Sequence, residues 1–128
     1  RPPRSTLFPY TTLFRSLCVG CWLESGSDFG DLMSDIKELC DEDRLLCVHF
    51  RNVSAQLPVF EEVLAEDGYA DMYAIMKQLV ACDCNAVISI DHGFQPMEGF
   101  GGMPGSFCYP TGFMKGLLWA AEKELGKR

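Results

Sequence analysis

Apolar residues along this chain come in two textures, short unbroken runs and longer stretches with helical spacing. Leu45-Leu46-Cys47-Val48 and Ala86-Val87-Ile88-Ser89-Ile90 are runs of the first kind, rich enough in branched and soft side chains to be buried parallel strands. Leu17-Cys18-Val19 reads as the tail of another. Leu32, Met33, Ile36, Leu39 and Cys40 form one stripe at i, i+4, i+7 and i+8, which predicts an amphipathic helix capped by Ser27 or Asp28 and ended at Asp41-Glu42-Asp43. Met72, Ile75, Met76, Leu79 and Val80 predict a second, with Asp71 near its start, where a carboxylate suits the helix dipole. Phe113, Met114, Leu117, Leu118, Ala121 and Leu125 predict a last helix that Gly126 can end. Pro58 to Ala65 is expected to be a short helical piece using Phe60, Val63 and Leu64, broken by Glu66-Asp67-Gly68. Two stretches have no period. Gly20 to Ser27 is expected to be a loop, and Gly93 to Cys108, with five glycines and two prolines, a long loop of the functional kind.

The order is strand, helix, strand, helix, strand, loop, helix. Strands joined by helical crossovers run parallel, so the pattern is βα repetition and the fold class is α/β. Three parallel strands can neither close a barrel nor cover both faces of their own sheet. The expectation is therefore the C-terminal part of a larger (β/α)8 TIM-type barrel. Residues 1–16 stand apart, with three prolines and neither helical nor strand period. The segment Leu7 to Ser16 looks like the conceptual translation of a DNA-sequencing adapter, which would place the start of the natural fold near Leu17.

Chemistry gathers where the strands end. The first complete run passes straight into His49-Phe50-Arg51-Asn52, and the second into Asp91-His92-Gly93, so both histidines of the chain sit at a predicted strand's carboxyl end. That edge is where α/β folds place their reactive groups. Composition narrows the partners. A 128-residue chain, 48% hydrophobic and 23% charged, is one ordinary globular domain in size. Its net charge of −7 and lack of a Lys/Arg cluster argue against a nucleic-acid partner. No apolar run reaches the roughly 20 residues that a membrane helix needs. With no secretory leader and an odd count of seven cysteines, thiols in a cytoplasmic protein are expected in place of disulfides.

Val48-His49-Phe50-Arg51-Asn52-Val53, Phe60-Glu61-Glu62-Val63, Asp71-Met72-Tyr73, Asp91-His92-Gly93, and Tyr109 followed by Lys115-Gly116-Leu117 together resemble the C-terminal third of mannonate dehydratase, a family in the xylose isomerase-like TIM barrel superfamily. Cys18-Val19-Gly20 is similar to that family's Cys-x-Gly at an earlier strand end. The resemblance runs, in order, through nearly all of Leu17 to Leu125. It implies dehydration of D-mannonate to 2-keto-3-deoxy-D-gluconate with a divalent manganese or iron-type ion. It also implies metal ligands at Cys18, His49 and Asp91, acid/base groups at His92 and Tyr109, substrate contacts from Arg51 and Asn52, and a parent that could be a homo-oligomer. Cys21 stands where the family more often has serine, which leaves Cys18 and Cys21 both open as the thiol ligand. The Cys18 to His49 spacing is longer than usual, and a further histidine ligand expected from an earlier strand is absent from this sequence.

A different class of function rests on the cysteines alone. Cys18-x-x-Cys21 with Cys82-x-Cys84 could make a four-thiol zinc site in a small interaction module, since closely spaced thiol pairs are what tetrahedral zinc uses. Against it, Cys82 and Cys84 are expected at a helix-to-strand turn, on the opposite sheet edge from Cys18. A redox role for Cys18 and Cys21 is weaker again, because such pairs are usually placed at a helix start.

Overall fold

The computed structural model describes residues 15–91, 93 and 102–128. Three strands, β1 (Arg15–Cys18), β2 (Leu45–His49) and β5 (Val87–Ser89), form a parallel sheet in the order β1-β2-β5. Two more, β3 (Asn52–Val53) and β4 (Glu62–Val63), pair antiparallel in a separate hairpin. The helices are α1 (Val19–Ser25), α2 (Leu32–Asp41), α3 (Met72–Ala81) and α4 (Met103–Glu124), with a 3-10 turn at Gly26–Asp28.

The two crossover helices follow the sequence pattern. Ile36 of α2 and Met72, Ile75, Met76 and Leu79 of α3 are buried, together with Leu17, Leu45 and Val48 of the sheet. Each helix starts on an aspartate that satisfies a backbone donor left open in the first turn. Asp31 accepts from the Ser34 N–H at 2.7 Å, and Asp71 from the Ala74 N–H at 2.9 Å. The cap of α2 is thus Asp31, whereas Ser27 and Asp28 lie in the preceding 3-10 turn.

Four features differ from the sequence reading. Arg15 and Ser16 pair with Leu45 and Cys47, so β1 begins two residues before the expected boundary at Leu17. The segment after β1 is helical although it has no side-chain cap; burial of Val19, Gly20 and Leu23 supplies what local propensity lacks. The expected helical piece at Pro58 to Ala65 is instead the return of the β3–β4 hairpin. Pro58 lacks a backbone donor, while Ser54 and Glu61 exchange two 2.9 Å bonds, one backbone to backbone and one through the Ser54 hydroxyl. Finally, α4 begins at Met103, ten residues before the apolar stripe at Phe113. Pro104 in its first turn and Gly102 at φ +68° open it, and Pro110 is accommodated within it. Tyr109 therefore lies on this helix.

Register decides what the carboxyl edge presents. Cys18 stands opposite His49, and His49 opposite Ser89. Because strand side chains alternate between faces, these three point to the same side, and Asp91, two residues beyond Ser89, keeps that parity.

Candidate metal centre

The three strand ends bring Cys18, His49 and Asp91 into one cluster. One ligand atom from each lies within 4.8 Å of the others, and no other such group occurs among the described residues. His49 Nδ1 is 3.4 Å from Asp91 Oδ1, and Cys18 Sγ is 3.9 Å from Asp91 Oδ2. Ligands bonded to one ion at about 2.0–2.3 Å stand roughly 3–4.6 Å apart, so the donor set fits a single divalent cation with little movement. A thiol, an imidazole and a carboxylate do not by themselves choose between zinc, iron and manganese.

Of the two candidate thiols, Cys18 faces the cluster. Cys21 lies in the first turn of α1, with its Sγ 3.8 Å from Arg51 Nη2. Burial and the adjacent Cys18 thiol push Cys21 up to about 11, so it remains a thiol at neutral pH.

Arg51 stands behind the cluster and is largely enclosed, its side chain 11% exposed. Its Nε donates to Asp91 Oδ2 at 3.1 Å and its Nη2 to Glu24 Oε2 at 3.1 Å, while Nη1 lies 3.1 Å from Glu62 Oε1, out of line for a hydrogen bond. Burial works against the guanidinium charge, but the surrounding carboxylates more than offset it and raise its pKa above the ordinary value. Gly20 is required by the same side chain, because a Cβ there would sit 2.5 Å from Arg51 Cζ and Nε. A cleft lined by Phe50, Arg51, Val63, Asp91 and Pro110 opens beside this group.

Asn52 is placed differently from the sequence expectation. It is fully buried, its amide donates to the carbonyls of Ala65 at 2.8 Å and Ala70 at 3.0 Å, and its Oδ1 accepts from the Val53 N–H. With both donors committed to backbone and no exposed surface, Asn52 braces the loop after β4 and cannot reach a ligand. Tyr109 is exposed on the first third of α4 and donates to Glu66, which raises its pKa. His92 lies outside the described residues.

Glu24 was not singled out by the sequence, and Glu62 entered only within the Phe60-Glu61-Glu62-Val63 segment of the resemblance, with no role attached. Once α1 is known to be helical, a signal exists for the first: Gly20 and Glu24 are four residues apart, on one face, and both meet Arg51. The four-thiol arrangement is not formed. Cys18 ends β1 at the carboxyl edge, whereas Cys82 and Cys84 precede β5 at the amino edge, beside Cys40. Among the described residues no helix is long and apolar enough to cross a membrane.

Parallel βα units with reactive side chains gathered at the strands' carboxyl edge define the class of (β/α)-barrel enzymes, of which these strands form a part. A sequence model of the D-mannonate dehydratase family (UxuA) matches residues 11–123, and the chain belongs to that family. Its structure is similar to the crystal structure of mannonate dehydratase from Streptococcus suis serotype 2, with a TM-score of 0.68 and 26% sequence identity. That match covers 88% of this chain and 34% of the other, so the chain spans about a third of that relative's length. The curated proteins contain no match.

Proposed function

We propose that the barrel containing this segment dehydrates D-mannonate to 2-keto-3-deoxy-D-gluconate, with Cys18, His49 and Asp91 holding a divalent manganese or iron ion. The observation that carries the reading is the convergence of those three side chains at the carboxyl edge of a parallel sheet, and family membership supports it. When bound, the ion supplies positive charge where negative charge develops on substrate oxygen.

The chain's own residues divide the remaining work. Removing the proton beside the substrate carboxylate requires a base, and expelling the neighbouring hydroxyl as water requires an acid. His92, next in sequence to Asp91, and Tyr109 are assigned these two roles, each worth about 10²–10⁴-fold. Tyr109 would have to exchange its Glu66 contact for the leaving hydroxyl. His49 would hold the ion through its imidazole, beside Asp91, which lies within reach of both His49 and Cys18. Asn52 holds the floor of the site without touching substrate.

Loss of water leaves an enol that takes up one proton at the deoxygenated carbon. The test is therefore D-mannonate turnover in D2O by the complete barrel, followed by NMR. One deuterium at carbon 3 of the product is expected, with turnover lost in Asp91→Asn. The 128-residue chain alone, which supplies three strands of the sheet, is expected to give no product, because a barrel substrate site is assembled from loops after several strands. Full activity of an Asp91→Asn barrel would remove the proposed metal centre from the reaction.

A further inference from the structure

We propose that Glu24 and Glu62 are positioning residues of the metal centre: they lock the Arg51 guanidinium, which in turn fixes the Asp91 carboxylate between Cys18 and His49. The inference rests on the metal-binding reading above and goes beyond it by assigning roles outside the ligand set.

Arg51 was expected to contact substrate. Its geometry points elsewhere. Each of its three nitrogens faces a different carboxylate at 3.1 Å, from Asp91, Glu24 and Glu62, and only a tenth of the side chain is exposed. A substrate carboxylate would have to displace one of them. The partners come from three separate elements: α1 supplies Glu24, β4 supplies Glu62, and the end of β5 leads to Asp91. Independently of Arg51, α1 is tied to the hairpin return and to the loop that follows β4. Leu57 N–H donates to the Glu24 carbonyl at 2.8 Å, and the Tyr69 hydroxyl donates to the Leu23 carbonyl at 2.6 Å. The guanidinium thus sits in a rigid frame, and Gly20 lets α1 close over it.

The frame solves an electrostatic problem. A lone arginine beside a metal ligand would repel the incoming cation and compete for the same carboxylate oxygen. With Glu24 and Glu62 attached, the cluster of one guanidinium and three carboxylates is net negative, so Arg51 orients Asp91 as a hydrogen-bond donor without opposing the ion. Its planar fork is what a lysine could not reproduce. Partners of this kind, one shell out from the metal, typically alter metal affinity by about 10–100-fold when removed.

The experiment titrates the complete barrel containing this segment with Mn2+ alone, following free ion by its EPR signal, with circular dichroism as the check on folding. Asp91→Asn deletes the ligand, and Glu24→Gln, Glu62→Gln and Arg51→Lys test the frame. Glu24→Gln is expected to weaken Mn2+ binding by about 10–100-fold at unchanged thermal midpoint. Glu62→Gln should act in the same direction but less, since its contact is out of line. If Glu24 acts through Arg51, adding Glu24→Gln to Arg51→Lys weakens binding by less than about twofold more, a coupling that a general loss of packing would not produce. Should Glu24→Gln fail to fold, Glu62→Gln on the hairpin carries the test. Binding that Asp91→Asn abolishes but both glutamine variants leave intact overturns the positioning role and spares the metal centre. No Mn2+ uptake above that of Asp91→Asn removes both.

Discussion

Replacing Asn52 with alanine deletes three hydrogen bonds from the floor beneath Arg51, two donated to carbonyls and one accepted from a backbone N–H. Each such bond contributes about 0.5–1.5 kcal/mol net, and a buried carbonyl left without a partner costs about 1–3 kcal/mol. The substitution also opens a void against Gly68, which packs so closely on Asn52 that a Cβ there would fall 2.1 Å from the amide carbon. The expected loss is about 3 kcal/mol, a large part of the roughly 5–15 kcal/mol margin of a domain. Urea unfolding followed by circular dichroism would read it as a lower midpoint at unchanged slope. Asn52→Asp sharpens the test. At neutral pH the introduced carboxylate would face two carbonyl oxygens with no donor, so its folded pKa is raised above the unfolded value. That variant should be less stable than Asn52→Ala at pH 7 and recover as the pH falls, because protonation restores one donor. A loss below about 1 kcal/mol for Asn52→Ala, or a wild-type midpoint for Asn52→Asp at pH 7, would refute the bracing role.

Three further outcomes are expected. Gly20→Ala should cost about 1–3 kcal/mol through overpacking, since its Cβ would meet an Arg51 side chain pinned by three carboxylates; thermal unfolding measures this, and an unchanged midpoint would mean that Arg51 moves freely. Alkylation at pH 7.5 followed by mass spectrometry should label exposed Cys108 first and leave Cys40 until last, because burial and the neighbouring Cys84 and Cys82 thiols push Cys40 up to about 12; early labelling of Cys40 would contradict that packing. Glu124 receives Lys77 and Tyr73 from α3, and these bonds hold its carboxyl below the usual glutamate range. The stability gap between wild type and Glu124→Gln should thus be present at neutral pH and vanish as the pH falls through that lowered value; a gap that persists in acid would point to packing.

The sequence carried the helices whose apolar stripes repeat cleanly, α2 and α3, and both complete strand runs. It was misleading where tertiary contacts override local signals. The helix α1 follows a strand without a break and holds a glycine, and its burial against the hairpin is not visible in any periodicity. The first third of α4 carries Pro104, Gly105 and Pro110, the residues that ordinarily mark a loop. The site was legible in part for a similar reason. His49 and Asp91 stand where apolar runs turn polar, which marked the strand ends as chemical, but the ligand set of Cys18, His49 and Asp91 came from the family resemblance, with Cys18 and Cys21 both open as the thiol. Glu24 and Glu62 carry no such mark, because each is one acidic residue among many until folding brings it to Arg51. Asn52 was misassigned because adjacency to Arg51 in sequence says nothing about side: successive residues of an extended chain point in opposite directions.

The alignment of Cys18 with His49 and of His49 with Ser89 makes the site a gauge of strand pairing. A slip of one residue in either pairing would turn Val19 or Val48 toward the cluster and send a ligand to the far face. A divalent ion would therefore bind the correctly paired sheet and ignore the slipped one. At a hundredfold excess over its dissociation constant it would favour the correct pairing by about 2.7 kcal/mol. For a sheet of strands only three to five residues long, the ion would add to the burial of Leu17, Leu45 and Val48 in fixing the register, a proofreader of the fold as well as an instrument of chemistry.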